Sequence, residues 1–274
     1  MRRFSADYLE ETRRGMWDHS RAALAPLELE DRELILDVGC GTGELSAVLS
    51  EETDGTVVGV DRDRQLLEET TVPTVRADAT DLPFESGIAD LVVCQALLIN
   101  LPDPSRAIAE FVRCSTDLVA AIEPDNSAVT VESTVPLERE LATRARTHYI
   151  QGVNTDVTLG TVPELLRSHG RPDREVTDIH TRRYDHVRTI EPPYDRRAVE
   201  AAKRKATGSR IAQQRETLLA GGMGPDEYDT FRSSWREMGR SIVDDMQNGT
   251  YRRTETIPFY VTVGKIKRTE RRSS

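Results

Sequence analysis

The chain has 274 residues and a mass of 30.7 kDa, with 37% hydrophobic residues, 31% charged residues and a mean hydropathy of -0.52. That composition excludes a disordered polymer, and no apolar run reaches the roughly 18–20 residues of a membrane span. A net charge of -10 opposes general nucleic-acid binding, because a phosphate backbone needs a positive face.

Residues 5 to 24 have a helical pattern, with Ser5 as cap and Pro26 beyond the end. Leu34-Ile35-Leu36-Asp37-Val38 is a short apolar run that ends in glycines and predicts a buried strand. Helix is expected over 44–52, strand over 56–60, helix over 63–69 and a short strand over 73–77. A fourth, nearly all-apolar strand runs over 88–94, a helix over 104–114 starts at Asp103 or Pro104, and a fifth strand covers 118–123. Apolar strands alternating with helices predict an α/β fold. We expect a doubly wound, mainly parallel seven-stranded sheet with helices on both faces.

The second half is less regular. Residues 136–150 predict a helix with Leu137, Leu141 and Ala145 on one face. Thr161-Val162-Pro163-Glu164 has the form of a capping box for a helix that stops at Gly170. A strand is expected over 176–187, helices over 195–220 and 225–247, and a last strand over 257–263. In the second of those helices Tyr228, Phe231, Trp235, Met238, Ile242 and Met246 recur every three or four residues as one apolar stripe. The expected organisation is an N-terminal helix over 1–30, a main domain over 31–190 and 250–267, and a helical insertion over 191–249 before the last strand.

The informative segment is LDVGCGTGE, Leu36 to Glu44. Gly39, Gly41 and Gly43 let the chain turn sharply and let backbone approach a ligand. A dinucleotide loop would read G-x-G-x-x-G. Here the third glycine comes one residue early and Glu44 opens the helix, which disfavours a pyrophosphate. Asp61 ends the second strand in VVGVD, and Asp78 follows the third in RADATDLPF. The fourth strand ends at Cys94-Gln95.

At these residues the chain resembles the class I S-adenosylmethionine-dependent methyltransferases, and within them the small-molecule group that includes ubiquinone and menaquinone biosynthesis enzymes. The resemblance covers about Leu34 to Glu123. It implies S-adenosyl-L-methionine as cofactor. Asp37 and the loop Gly39, Cys40, Gly41, Thr42 and Gly43 would hold its methionine part. Asp61, with Arg62 beside it, would bind the ribose. Asp78 and Ala79 would meet the adenine, and Cys94 and Gln95 would line the space near the sulfonium. Asp81-Leu82-Pro83-Phe84 is similar to the family's loop after the adenine contact. A cationic sulfonium suits acidic strand ends, and the already activated methyl group needs alignment rather than a metal. No metal site is expected. Cys40, Cys94 and Cys114 have no CxxC spacing and no histidine cluster near them, which also argues against a disulfide framework.

Family members that methylate nucleic-acid bases or protein amides often carry N/D-P-P-Y/F after the fourth strand. Cys94-Gln95-Ala96-Leu97 stands there, which points to a small-molecule acceptor. Residues 1–135 hold 27 acidic and 11 basic side chains, and residues 136–274 hold 20 and 26. Two halves with complementary fields would explain this, and so would an anionic acceptor. Arg182, Arg183, Arg188, Arg196 and Arg197 either pair with surface acids or bind a carboxylate or phosphate. The insertion is a lid, a dimer interface or plain core packing. No general base is identifiable, and His148 and Tyr149 are the nearest candidates. An RNA methyltransferase, a non-catalytic cofactor-binding protein and a nucleotide-dependent oxidoreductase are the rival readings. With no export signal at Met1-Arg2-Arg3-Phe4-Ser5, the expected compartment is the cytoplasm.

Overall fold

Side chains alternate across a strand, so a strand covered on both faces must be apolar throughout. β1 (Leu34–Val38), β4 (Ala89–Gln95) and β5 (Ser115–Pro124) follow this rule along their middles, with polar residues towards their ends, in the computed structural model, which describes residues 16–17, 20–156, 158, 161–169 and 173–269. Leu36, Val92, Cys94, Val119 and Ala121 share one core with Ile108, Phe111 and Val112. Their neighbours Ile35, Leu91, Val93, Leu118, Ala120 and Ile122 share another with Leu24, Leu27, Leu45 and Leu49.

β2 (Thr56–Asp61), β3 (Thr74–Arg76), β6 (Thr130–Ser133), β7 (Arg174–Ile190) and β8 (Arg253–Arg268) complete the sheet. The order is β3-β2-β1-β4-β5-β8-β6, with β7 paired to β8. β1 to β5 run parallel, and β8 runs antiparallel to both β5 and β6. The sheet therefore has eight strands where seven were expected. The addition is β6, whose sequence TVES buries one residue, Val131, and carries no alternating signal of its own.

Helix α1 (Glu44–Glu52) follows β1, α2 (Arg64–Leu67) follows β2, and α3 (Pro104–Cys114) follows β4. Asp103 caps α3 by accepting from the Ser105 N–H at 3.2 Å. Then come α4 (Pro136–Gly152), α5 (Val162–Ser168), α6 (Arg196–Thr207), α7 (Ser209–Gln213), α8 (Arg215–Ala220) and α9 (Pro225–Gln247). Most of the helix expected over 5–24 lies outside the described residues, and Arg21–Leu27 is a 3-10 helix that takes Pro26 inside it. The capping box at Thr161 does not form. Thr161 sits at φ -111° and ψ -5° instead of the extended conformation that aims a hydroxyl at the helix start, and its side chain makes no cap bond.

The chain divides into two units. One holds the described residues up to Pro124, with those of Leu159–Tyr184 and Phe259–Ser274. The other holds Asp125–Thr158 and Asp185–Pro258, so it takes in α4 as well as the segment 191–249. In this second unit the stripe of α9 is buried as its spacing predicts, against Leu141, Ala145, Ala202, Ile211 and Leu218. Leu137, placed on that face by the sequence, is 45% exposed instead. The single helix expected over 195–220 is three, because Gly208 adopts the left-handed conformation at φ 68° and Gln214 leaves the helical region.

A buried carboxylate ties this unit together. Glu138, in the first turn of α4, is 1% exposed. It accepts from the Ser133 hydroxyl at 2.6 Å and the Tyr251 hydroxyl at 2.9 Å, and it pairs with Lys205 and with Arg253 Nε at 3.1 Å. Burial opposes its charge, but Lys205 and Arg253 outweigh burial and hold its pKa below the ordinary value. Glu255 is lowered in the same way, with Arg253 outweighing burial. The sign follows from linkage: folding stabilisation from these groups is present above the unfolded glutamate pKa of about 4.3 and is lost as pH falls through the lower folded values. Glu138→Gln should cost about 3–5 kcal/mol at pH 7, because Lys205 and Arg253 lose a buried partner. Below that pH its urea midpoint should fall less steeply than that of the unsubstituted protein.

Candidate functional site

Four parallel strands bring their carboxyl ends together. Asp37 of β1 lies in register with Gly59 of β2 and Val93 of β4, and Asp61 of β2 with Arg76 of β3. Asp37, Asp61, Asp78, Cys94 and Gln95 therefore occupy one edge of the sheet. The strand order reverses between β1 and β4, and the open end of such a switch point is where doubly wound sheets take their ligands.

After Val38 the chain turns through Gly39, Cys40, Gly41, Thr42 and Gly43 into α1. The three glycines sit at φ +75°, +59° and +86°, the left-handed region that residues with a Cβ avoid. The Gly39 and Cys40 N–H groups donate to Val60 O at 2.6 and 3.1 Å, so the loop hangs from β2. The Gly41 N–H donates to Asp61 Oδ2 at 3.0 Å, while Asp61 Oδ1 accepts from the Asp63 N–H at 2.8 Å. Each Asp61 oxygen keeps a further lone pair for a ligand hydroxyl. The Thr42 hydroxyl donates to Glu44 at 2.7 Å. Asp37 is fully buried and accepts from the Ser46 hydroxyl at 2.5 Å, which joins the strand end to the first turn of α1.

Asp78 accepts from the Thr80 N–H at 2.9 Å and the Thr80 hydroxyl at 2.7 Å. These bonds, the backbone one first, hold its pKa below the ordinary value, so it is a carboxylate at neutral pH. Ala79 beside it is buried. Arg62 lends its carbonyl to Arg76 Nε at 3.1 Å. Cys94 is fully buried, and burial, then the charges of Glu123 and Asp37, push its thiol well above the ordinary range. It is a packed thiol rather than a nucleophile. Gln95 is buried and donates to the Met16 sulfur at 2.9 Å.

His148 and Tyr149 belong to the other unit. His148 Nδ1 faces Gly221 O at 2.9 Å, and its Nε2 lies 3.8 Å from Glu227, which Arg144 also holds at 2.7 Å. A Cβ on Gly221 would come within 1.8 Å of the His148 carbonyl oxygen, so glycine is what permits this approach of α4 to the end of α8. Tyr149 packs on the core of its unit. Arg182, Arg183, Arg196 and Arg197 are exposed, whereas Arg188 lies 3.6 Å from Glu255. Among the described residues no three His, Cys, Asp or Glu side chains gather as metal ligands, and no helix is long and apolar enough to cross a membrane.

One residue escaped the sequence reading. Glu123, near the end of β5, is fully buried. Its carboxylate accepts from the N–H groups of Leu97, Leu98 and Ile99 at 3.0, 2.7 and 3.5 Å. It thereby fixes the turn after β4, where Ala96 has φ +48°. The Leu97 side chain in turn covers Gly39: a Cβ there would lie 2.8 Å from Leu97 Cδ1. The one signal available was an acid ending an otherwise apolar run, LVAAIE.

Residues 36–117 match the family model described as a methyltransferase domain. The matched segment carries β1, the glycine loop and the strands up to the start of β5, and over it the chain resembles the class I S-adenosylmethionine-dependent methyltransferases. Among curated relatives, a demethylmenaquinone methyltransferase of Lactiplantibacillus plantarum is 29% identical over 129 residues, which cover 42% of this chain and 52% of that protein. The mitochondrial arginine-hydroxylase NDUFAF5 of Mus musculus is 38% identical over 85 residues, 29% of this chain and 25% of that protein. The chain thus spans a quarter to about half the length of these relatives. The YcgJ protein of Bacillus subtilis shares the fold at a TM-score of 0.50 and 13% identity, covering 89% of this chain and 98% of that one.

Glu123→Ala should leave the buried N–H groups of Leu97 and Leu98 without an acceptor and cost about 2–4 kcal/mol, read as a lower urea midpoint. Glu123→Gln keeps one carbonyl acceptor and should recover part of that loss.

Proposed function

We propose that this protein binds S-adenosylmethionine at the carboxyl ends of β1 to β4 and transfers its methyl group to a small molecule. The observation that carries the reading is the Gly41–Asp61 bond. It sets three left-handed glycines beside a carboxylate that still has lone pairs to offer. Asp37, Asp61 and Asp78 put acidic groups along a single edge, which suits a cationic ligand and opposes a phosphate. The cofactor, when bound, supplies an already activated methyl group. Asp37 and the glycine loop would hold its methionine part, Asp61 its ribose, and Asp78 with Ala79 its adenine. Cys94 and Gln95 would border the sulfonium through backbone and amide, since the Cys94 thiol keeps its proton. What remains for the chain is to orient donor and acceptor and to exclude water.

The match to a protein named as a hydroxylase favours a second reading, in which the domain serves chemistry other than methyl transfer. Binding and turnover are therefore measured separately. Calorimetry should give micromolar dissociation constants for S-adenosylmethionine and S-adenosylhomocysteine. Asp61→Ala should weaken both by roughly ten- to a hundredfold, the loss of one or two hydrogen bonds to a charged acceptor. No heat with either ligand at millimolar concentration refutes the reading. Binding without methyl transfer to any component of a pooled small-molecule extract favours the second.

A further inference from the structure

A second cluster of charge lies wholly within the unit formed by Asp125–Thr158 and Asp185–Pro258. Two carboxylates, Glu138 and Glu255, meet Arg253, which bonds Glu255 at 2.9 Å and stands 3.1 Å from Glu138. Lys205 also pairs with Glu138. Arg146 approaches Glu255 at 3.6 Å, as does Arg188. Leaving Arg188 aside, three cations face two anions in a region where Arg146, Lys205 and Arg253 keep only 20%, 23% and 12% of their side-chain surface.

The distribution of donors is uneven. Glu138 accepts from Ser133, Tyr251 and Lys205, while Arg253 Nε, 3.1 Å away, makes no hydrogen bond to it. Arg146 spends Nη1 on the Val129 carbonyl at 3.0 Å, and its Nη2 is too far from Glu255 for a hydrogen bond. On β7, two residues before Arg188, His186 is 7% exposed and its Nε2 meets no hydrogen-bond partner. Burial lowers the pKa of Arg146 and of Lys205, and the charge of Arg253 lowers both further. Partly buried cations in excess, with donors to spare, call for an anion with several acceptor oxygens.

We infer that this unit binds a carboxylate- or phosphate-bearing small molecule at Arg146, with Arg253 and His186 Nε2 around the same anionic group. This stands apart from the methyltransferase reading and survives its failure.

The test titrates inorganic phosphate, acetate and chloride at matched ionic strength against the thermal midpoint of the full chain. One of the first two should raise the midpoint and saturate, with half-saturation near ~1 mM. Which of them does so separates phosphate from carboxylate chemistry. Arg146→Gln should weaken the response at least tenfold, and Arg240→Gln, an equal loss of charge at an exposed position of α9, should leave it unchanged. If circular dichroism finds Arg146→Gln unfolded, Arg146→Lys replaces it. The lysine keeps the charge but loses the planar fork, and an intermediate weakening is expected. A response that chloride matches, that never saturates, or that persists in the folded Arg146 variant overturns the inference.

Discussion

The hydrogen bond from the Gly41 N–H to Asp61 is the constraint on which the candidate site depends. A sheet buried on both faces offers its polar backbone to a ligand at the strand ends, where the chain must turn. Here the turn after β1 is fastened to the end of β2 by that bond and by two more onto the Val60 carbonyl. Two adjacent strands thus share one rigid rim. The left-handed glycines let neighbouring side chains pack directly on its backbone: a Cβ at Gly39 would collide with Leu97, and one at Gly43 with Thr70.

Two buried carboxylates frame this rim from opposite sides of β1 and β4. Asp37 reaches forward to Ser46 and sets where α1 begins. Glu123 reaches back to Leu97 and Leu98 and sets the turn after β4. Charge-assisted bonds of this kind are strong enough to hold Ala96 in a conformation that a free chain seldom visits. The protonated Cys94 between them adds packing without adding reactivity.

Much of this was legible because the physics was local. Leu34–Val38 and Pro104–Cys114 have the bounds their sequence predicts, one from an apolar run stopped by glycine, the other from an Asp-Pro start. The α9 stripe needed only its spacing. What stayed hidden depends on partners far along the chain. β6 exists because Thr130 to Ser133 meet Arg253 to Thr256, and the same pairing extends β8 ahead of its apolar segment. Glu123 reads as a strand end until the turn that it holds is in place. The capping pattern at Thr161 matched in letters but not in dihedral angle. At the rim itself, the acids and glycines stood out because they interrupt strongly apolar strands.

The antiparallel partner of β5 comes from the far end of the chain, with Leu118 opposite Lys265 and Phe259 opposite Pro124. During synthesis all five parallel strands have emerged once residue 124 is made, yet one flank of β5 must wait for Phe259–Lys265. Throughout that interval an apolar strand carries unpaired amides, the kind of surface on which nascent chains adhere to one another. The stretch of synthesis between residues 124 and 265 is therefore when β5 is most exposed to misassembly.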